Sequence, residues 1–237
     1  MLALITGASR GIGAAAARRL SEDGYTVLIH CCRRTDLANA LADELGGYAL
    51  TADLSDLSQT DRLSKTVLEQ FGTPDLLVNN AAVSITGLYQ EISDTDAEML
   101  FSVNLLSMMR LTKRLLPGMI SRKSGNIINI ASVWGETGAA CEVHYSASKA
   151  GVIGFTKALA QEVGPSGIRV NCVSPGVIDT DMNRMHSAET MRQLADETPL
   201  CRIGTPEEAA EAIAFLASER AGFSTGQVLG VNGGFHT

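Results

Sequence analysis

Short apolar runs alternate with longer stretches of helical periodicity along the whole chain. The apolar runs predict strands at 2–5, 26–29, 48–51, 76–78, 126–130, 169–173 and 227–231. The periodic stretches between them predict helices at 12–23, 36–45, 57–71, 94–120, 143–164 and 206–217. Strands that are apolar at consecutive positions are typical of a parallel sheet covered on both faces. The pattern therefore predicts an α/β fold with a doubly wound, seven-stranded parallel sheet and helices on both faces.

Composition narrows the class of protein without changing this fold prediction. The chain has 237 residues, of which 45% are hydrophobic, and a formal net charge of −7. We expect a single domain over residues 1–237, because no linker or repeat divides the chain. The acidic balance argues against nucleic acid and anionic membranes as partners. The five cysteines form no CxxC pair, and the first apolar run leaves no targeting segment, so we expect a cytoplasmic protein with reduced thiols.

The carboxyl ends of the predicted strands mark the expected binding site. Doubly wound sheets bind ligands in the crevice beyond these ends, where the strand order reverses. The connection after the sixth strand is the longest, and its helix-prone part predicts a substrate lid at about 177–205.

A glycine-rich loop follows the first predicted strand and precedes the first helix. Its spacing is G-x-x-x-G-x-G, and it lacks the Gly-Lys-Ser/Thr of a P-loop. Such a loop lets the backbone approach a pyrophosphate at a helix N-terminus, although three glycines also suit a purely structural turn. The position between strand and helix favours a dinucleotide site of the Rossmann type. The loop residues that we assign to the cofactor are Gly7, Ser9, Arg10, Gly11, Ile12 and Gly13.

The end of the second strand bears on which dinucleotide binds. NAD enzymes place a carboxylate there for the ribose 2′-hydroxyl, whereas NADP enzymes supply cations for a 2′-phosphate. Here Cys32, Arg33 and Arg34 follow the strand without a carboxylate, and Arg10 lies in the glycine loop. These arginines also suit an ordinary solvated surface. We assign Cys32 and Arg33 to the cofactor and predict NADP(H) in preference to NAD(H).

Three polar residues near the fifth strand form a candidate catalytic group. Ser132 follows the strand, and Tyr145 and Lys149 lie four residues apart near the start of a helix, so that they share one face. Bringing the pKa of a tyrosine from near 10 to neutrality takes about 4 kcal/mol, which a neighbouring ammonium can largely supply. Ser132 can donate a hydrogen bond to a carbonyl oxygen that receives a hydride. The pattern predicts carbonyl reduction. The alternative is that Tyr145 and Lys149 are an ordinary pair of residues on the surface of a helix.

These motifs resemble the short-chain dehydrogenase/reductase family over nearly the whole chain. The residues that carry the resemblance are Thr6-Gly-x-x-x-Gly-x-Gly13, Asp53-Leu54, Asn79-Asn-Ala-Ala82, Asn104, Ser132, Tyr145, Lys149, Pro175-Gly176 and Thr180. The resemblance implies a catalytic tetrad of Asn104, Ser132, Tyr145 and Lys149, in which Asn104 holds a relay water. Tyr145 and Lys149 are also assigned to cofactor binding. It also implies that Asp53 and Leu54 meet the adenine, Asn80 the adenosine ribose, and Ile178 and Thr180 the nicotinamide carboxamide. A homotetramer is the usual assembly, and no residue is assigned to a metal.

Several phrases are most similar to those of the 3-oxoacyl-[acyl-carrier-protein] reductases of fatty acid synthesis. They are Gly7-Ala-Ser-Arg-Gly-Ile-Gly13, Tyr145-Ser-Ala-Ser-Lys-Ala-Gly151, Gly167-Ile-Arg-Val-Asn171 and Thr180-Asp-Met182. Carrier docking in those reductases relies on basic residues; Arg122 and Lys123 are candidates, but Ser166 stands at a second basic position. The phrases also occur in alcohol, sugar and steroid dehydrogenases, which stay open as alternatives. A non-catalytic nucleotide sensor is a third possibility.

The spacing of tyrosine and lysine argues against an enoyl reductase. The resemblance implies seven positions between these residues in that branch, and Val152 stands seven positions beyond Tyr145. We therefore expect an NADPH-dependent carbonyl reductase acting on a small-molecule carbonyl compound, with acyl carrier protein as a candidate partner.

Overall fold

The computed structural model describes residues 1–183 and 187–236, and their strands form one parallel sheet. Within these ranges the sheet has 7 strands in the order β3-β2-β1-β4-β5-β6-β7. Their bounds are β1 Leu2–Ile5, β2 Thr26–Cys31, β3 Tyr48–Thr51, β4 Leu76–Asn79, β5 Gly125–Ile130, β6 Ile168–Pro175 and β7 Val228–Val231. The chain winds outward from β1 in one direction and then returns to β4 beside it. The predicted fold class is confirmed, and the strand order reverses between β1 and β4.

Helices cover both faces of this sheet. Their bounds are α1 Gly11–Glu22, α2 Thr35–Leu45, α3 Leu57–Gln70, α4 Asp94–Phe101, α5 Ser107–Arg122, α6 Val133–Thr137, α7 Val143–Val163, α8 Ala188–Glu197 and α9 Pro206–Ala217. The prediction of one helix over 94–120 was wrong in detail, because a π-helical turn at Ser102–Leu106 separates α4 from α5. One extra residue in a turn leaves the apolar pattern on both sides intact, so periodicity does not reveal it.

Alternate residues of each central strand supply the two cores. On β1, Ala3 and Ile5 pack with the alanine-rich α1 and with Ile213 of α9. Leu4 points to the opposite face, where it packs with Leu111 and Leu115 of α5. Burying aliphatic side chains on both faces holds the strand ends, and the loops that follow them, in fixed positions.

The segment predicted as a lid leaves the sheet after β6 and returns to its own start. Gly204 donates its N–H to the carbonyl of Val177 at 3.0 Å, and Asp179 donates to Gly204 at 2.9 Å. These bonds pin the two ends of the segment together, with α8 between them. Residues 184–186, which fall inside the predicted lid, lie outside the described residues. None of the described helices has the length and apolarity that crossing a membrane requires.

Candidate active site

The loops after β1 and β4 are bonded to each other at the point where the strand order reverses. The hydroxyl of Thr6 accepts the N–H groups of Asn80 and Ala81, each at 3.0 Å. The side chain of Asn80 donates to the carbonyls of Thr6 and Gly7 at 2.9 and 3.0 Å. Asn80 therefore fixes the shape of the glycine-rich loop, in addition to lining the cleft.

Two of the loop glycines occupy positions where a side chain does not fit. Gly7 has a φ of +64°, and a Cβ there would lie 2.8 Å from the Cα of Ala81. A Cβ on Gly13 would lie 2.6 Å from the carbonyl oxygen of Gly7. The first glycine permits the turn and the last permits close packing of helix on strand, as the sequence pattern predicts.

One cleft of about 640 Å³ opens beyond the carboxyl ends of the strands. Most of the residues predicted to form the site line it: Gly7, Ser9, Arg10, Gly11, Ile12, Cys32, Arg33, Asp53, Leu54, Asn80, Ser132, Tyr145, Lys149, Ile178 and Thr180. Two predicted residues do not line this cleft. Gly13 lies behind the loop, and Asn104 is buried beneath the cleft floor.

The glycine-rich loop has the features of a phosphate cradle. Arg10 holds the position before α1 with an extended backbone, and its side chain does not cap the helix. The first N–H groups of α1 are therefore left to a ligand in the cleft. Across the cleft, a Cβ on Gly11 would contact the methyl group of Thr180 at 3.4 Å, so the loop faces the segment after β6 closely. The donor set and the space fit the dinucleotide that the sequence predicts.

The end of β2 presents cationic side chains to the same cleft. Cys31 is buried in the core, whereas Cys32, Arg33 and Arg34 are exposed and line the cleft. Asp53, after β3, accepts hydrogen bonds from the hydroxyl and the N–H of Ser55 at 2.7 and 2.9 Å, and these bonds lower the pKa of its carboxyl. This part of the cleft thus carries an ionised carboxylate and two arginines.

Tyr145 and Lys149 lie one helical turn apart on α7 and face the same cleft. The ammonium of Lys149 lies 5.6 Å from the centroid of the Tyr145 ring and donates to the carbonyl of Ile130 at 2.8 Å. Ser132 caps α6, where its hydroxyl accepts the N–H of Trp134 at 3.2 Å, and it also hydrogen-bonds Tyr145. Both α7 residues are almost completely buried. The helix spacing, together with the end of β5, brings the three side chains together as predicted.

Burial, rather than the neighbouring ammonium, dominates the acidity of these groups. It raises the pKa of Tyr145 to about 12, although the hydrogen bond with Ser132 opposes the rise. It also lowers the pKa of Lys149 to about 8. The expectation that Lys149 brings Tyr145 towards neutrality is therefore wrong for the protein alone, because desolvation of the phenolate dominates its pKa. At neutral pH the phenol keeps its proton and the lysine is largely charged.

Asn104 sits in the π-helical turn between α4 and α5, and its side-chain amide makes three hydrogen bonds. Its amide oxygen accepts the N–H of Val83 at 2.8 Å. Its amide nitrogen donates to the carbonyl of Val83 at 2.9 Å and to the hydroxyl of Ser148 at 3.1 Å. The amide has no further hydrogen to offer, so Asn104 ties the loop after β4 to α7.

Two polar residues beside the cleft received neither a catalytic nor a cofactor role from the sequence. Glu142, just before α7, accepts hydrogen bonds from the hydroxyls of Ser84 and Thr86, each at 2.8 Å, and so joins the loop after β4 to the start of α7. His30, the fifth residue of β2, is buried between the glycine-rich loop and the segment after β3. A histidine inside an apolar strand run was the available signal for the latter.

Comparisons with known proteins agree with this architecture. A family model described as enoyl-(acyl carrier protein) reductase matches residues 7–236. A Bacillus subtilis (strain 168) protein with the name Uncharacterized oxidoreductase YmfI is 42% identical over 240 residues, which cover 99% of this chain and 98% of that protein. The 3-oxoacyl-[acyl-carrier-protein] reductase FabG of Vibrio harveyi is 40% identical over 237 residues, covering 99% and 97%.

A solved structure extends the likeness to three dimensions. It is the crystal structure of ribose-5-phosphate isomerase from Brucella melitensis 16M, with a TM-score of 0.93 and 36% sequence identity. The match covers 99% of this chain and 92% of that one. The full-length family match, the curated relatives and the geometry of the cleft lead to one conclusion. The chain belongs to the short-chain dehydrogenase/reductase family and is an NAD(P)-dependent oxidoreductase.

Proposed function

We propose that this protein is an NADPH-dependent carbonyl reductase whose substrate is a 3-oxoacyl thioester. The observation that carries the proposal is the convergence of Ser132, Tyr145 and Lys149 on one end of a cleft whose other end carries Arg10 and Arg33. A ketone that accepts a hydride needs a hydrogen-bond donor and a proton at its oxygen. The buried hydroxyls provide both at the same end.

The chemistry that we assign to the residues follows from their protonation states. NADPH, when bound, supplies the hydride. Tyr145 keeps its proton at neutral pH because burial raises its pKa to about 12, so it is suited to donate that proton to a developing alkoxide. Ser132 steadies the carbonyl oxygen through its hydroxyl. Lys149 keeps two N–H groups beyond its bond to Ile130, and we assign these to the ribose hydroxyls.

A proton relay through Asn104 needs a specific atom. Because both hydrogens of its side-chain amide are donated to Val83 and Ser148, the side chain has none left to donate to a water, and we assign the relay water to the backbone carbonyl of Asn104. Carbonyls in a π-helical turn are displaced from the regular hydrogen-bond ladder, which favours this role.

The preference for NADPH rests on the charges at the adenosine end. Arg10, Arg33 and Arg34 line that part of the cleft, and the end of β2 bears no carboxylate. A 2′-phosphate carries about two negative charges and matches the planar donors of arginine. We place the adenine between Asp53 and Leu54, and the nicotinamide beside Ile178 and Thr180.

The thioester substrate is favoured by the FabG proteins among the relatives, and acyl carrier protein is its proposed carrier. Lys123, at the end of α5, is the basic residue we assign to carrier docking. Arg122 is less suited, because its guanidinium donates to the carbonyls of Thr73, Pro74 and Ser124.

An alcohol, sugar or steroid dehydrogenase is the second candidate; the polar rim at Glu142 is the observation that favours it. Enoyl reduction is disfavoured because Tyr145 and Lys149 are one turn apart.

We also propose that each chain forms a single domain and that the protein is a cytoplasmic homotetramer. The family resemblance assigns α5 and α7 to an interface between subunits. Apolar side chains are exposed there at Leu106, just before α5, at Met109 and at Val143. Light scattering coupled to gel filtration measures the assembly. A mass near 100 kDa, about four times the 25.0 kDa of the chain, supports it, and a monomer overturns it.

A substrate panel tests the proposed reaction. NADPH oxidation is measured with acetoacetyl thioesters of coenzyme A, N-acetylcysteamine and acyl carrier protein, and with aliphatic, sugar and steroid ketones, each repeated with NADH. We expect turnover of the thioesters, with NADPH as the better cofactor. Turnover restricted to simple ketones or sugars supports the second candidate. Binding of NADPH without any turnover overturns the enzymatic assignment.

A further inference from the structure

A buried histidine connects the two parts of the cleft that face the adenosine half of a dinucleotide. The side chain of His30 is 1% exposed at the carboxyl end of β2. Its Nδ1 accepts the N–H of Gly7, in the glycine-rich loop, at 3.2 Å. Its Nε2 lies 3.0 Å from the carbonyl oxygen of Ala52, directly before Asp53. One imidazole therefore joins the loops that follow β1 and β3, the two strands that flank β2.

The partners of His30 fix its protonation state. A backbone N–H at Nδ1 requires an unprotonated nitrogen there, and a carbonyl at Nε2 requires a proton on that nitrogen. Only the neutral imidazole with its proton on Nε2 makes both bonds. Burial favours this form as well, because it lowers the pKa of His30 to about 4, although Asp53 nearby opposes the shift. The ring is thus held in its neutral form by one hydrogen bond to each loop.

The connection lies where the regular strand pairing between β1 and β2 has ended. The last paired residues of β1 and β2 are Ile5 and Ile29, so Gly7 lies beyond the paired region. The N–H of Ala8 still reaches the carbonyl of His30 at 2.8 Å. Backbone and side chain of the same residue therefore hold the start of the glycine-rich loop.

We propose that His30 is a positioning residue for the dinucleotide, setting the distance between the glycine-rich loop and the adenine-side residues Asp53 and Leu54. The inference rests on the proposed placement of the cofactor in this cleft. His30 lines the cleft but acts through the two backbone segments. Losing either bond lets one loop shift, which weakens cofactor binding without touching the groups that transfer the proton.

Three substitutions separate the two bonds. An asparagine oxygen can take the place of Nδ1, so His30→Asn keeps an acceptor for Gly7 and loses the bond to Ala52. A glutamine nitrogen can take the place of Nε2, so His30→Gln keeps the donor for Ala52 and loses the bond to Gly7. His30→Leu removes both bonds at similar volume. The control is Asn126→Ala, which removes the bonds from a buried side chain to the carbonyls of Leu216 and Ala217 near the amino end of β5, away from the cleft.

The experiment measures the Kd of NADPH and of 2′,5′-ADP through the fluorescence of Trp134, which lines the cleft, together with kcat at saturating cofactor and thermal unfolding. We expect each single-bond variant to weaken both ligands about fivefold, with kcat unchanged. His30→Leu is expected to weaken them further, and Asn126→Ala to lower stability with Kd unchanged. Equal Kd values for wild type and the folded single-bond variants overturn the inference. A wild-type protein that binds no dinucleotide overturns the proposed function instead.

Discussion

Arg10 and Asp181 form an ion pair across the mouth of the cleft, with 2.6 Å between Nη1 and Oδ2. Arg10 belongs to the glycine-rich loop, and Asp181 begins the short helical turn that follows Thr180. The carboxylate also acts on Arg34, raising the pKa of that guanidinium in addition to the larger effect of Asp36. An anionic side chain of the protein thus approaches the cationic groups that we assign to the 2′-phosphate of NADPH.

Replacing Asp181 by asparagine is therefore expected to strengthen NADPH binding. A carboxylate and a phosphate compete for the same guanidinium, and exposed ion pairs are worth up to about 1 kcal/mol, so we expect the Kd of NADPH to fall by about threefold to fivefold. NADH lacks the phosphate, and its Kd should change little. Titration of both cofactors at two salt concentrations measures the difference.

Asp179→Asn provides the control for this experiment. It removes the same charge from an exposed residue of the same segment that does not line the cleft. An unchanged Kd for NADPH in Asp181→Asn would show that Asp181 does not compete. A weaker Kd would indicate that Asp181 instead orients Arg10 for the cofactor.

Tyr145→Phe is expected to remove turnover while leaving the cofactor site intact. The substitution deletes one hydroxyl from a buried ring and keeps the ring itself, so packing changes little. General acid catalysis contributes about 10²- to 10⁴-fold, and kcat should fall by at least the lower value. The Kd of NADPH should stay within about twofold, since most of the assigned cofactor contacts lie elsewhere and the ring of residue 145 is kept. Stopped-flow and equilibrium binding measurements test both expectations.

Tyr89→Phe is the matched control for that variant. Tyr89 stacks on His144, the neighbour of Tyr145, with ring centroids 5.1 Å apart, and its side chain is largely exposed. Losing this hydroxyl should leave kcat unchanged. Substantial turnover in Tyr145→Phe, equal to that of Tyr89→Phe, would remove Tyr145 from the role of proton donor.

Ser166→Arg tests whether an acidic carrier docks on the surface around Lys123, where β5 and β6 begin. Ser166 precedes Gly167, whose position packs against the carbonyl of Lys123, so the substitution adds a second cation next to Lys123. Complementary charge strengthens encounter, and we expect KM for an acyl-carrier thioester to fall about threefold. Ser166→Glu should raise it. KM for the N-acetylcysteamine thioester should not respond to either change, and parallel responses of both substrates would argue against carrier docking here.

The sequence predicted those parts of the protein that depend on local patterns. Consecutive apolar residues predicted the strands, and the short spacing of Tyr145 and Lys149 predicted their shared face. The contacts that it did not predict join distant segments. Glu142 reaches Ser84 across 58 positions, and nothing near either residue indicates the other. The π-helical turn that places Asn104 was hidden for a different reason, since the apolar pattern continues on both sides of it.

The acidity of Tyr145 was mispredicted because sequence spacing reveals a neighbouring charge but not burial. Spacing predicts that Lys149 lies near the phenol, and this is where the structure has it. Desolvation depends on everything packed around the ring, and it reverses the direction of the pKa shift. The same effect acts on His30, which sequence analysis left without a role.

The stability of the fold should depend on pH through His30. Its pKa is about 4 in the folded protein and 6.5 as the unperturbed value, so the unfolded chain binds more protons between these values. Stability is therefore fully present above about pH 6.5 and declines as the pH falls towards 4. From pH 8 to pH 5.5 the expected loss from this residue is about 1.5 kcal/mol.

Urea unfolding of wild type and of His30→Asn at these two pH values measures this loss, because the carboxylates contribute equally to the two proteins. Wild type should lose more stability than the variant over this range; parallel losses would mean that the imidazole is not held neutral in the fold.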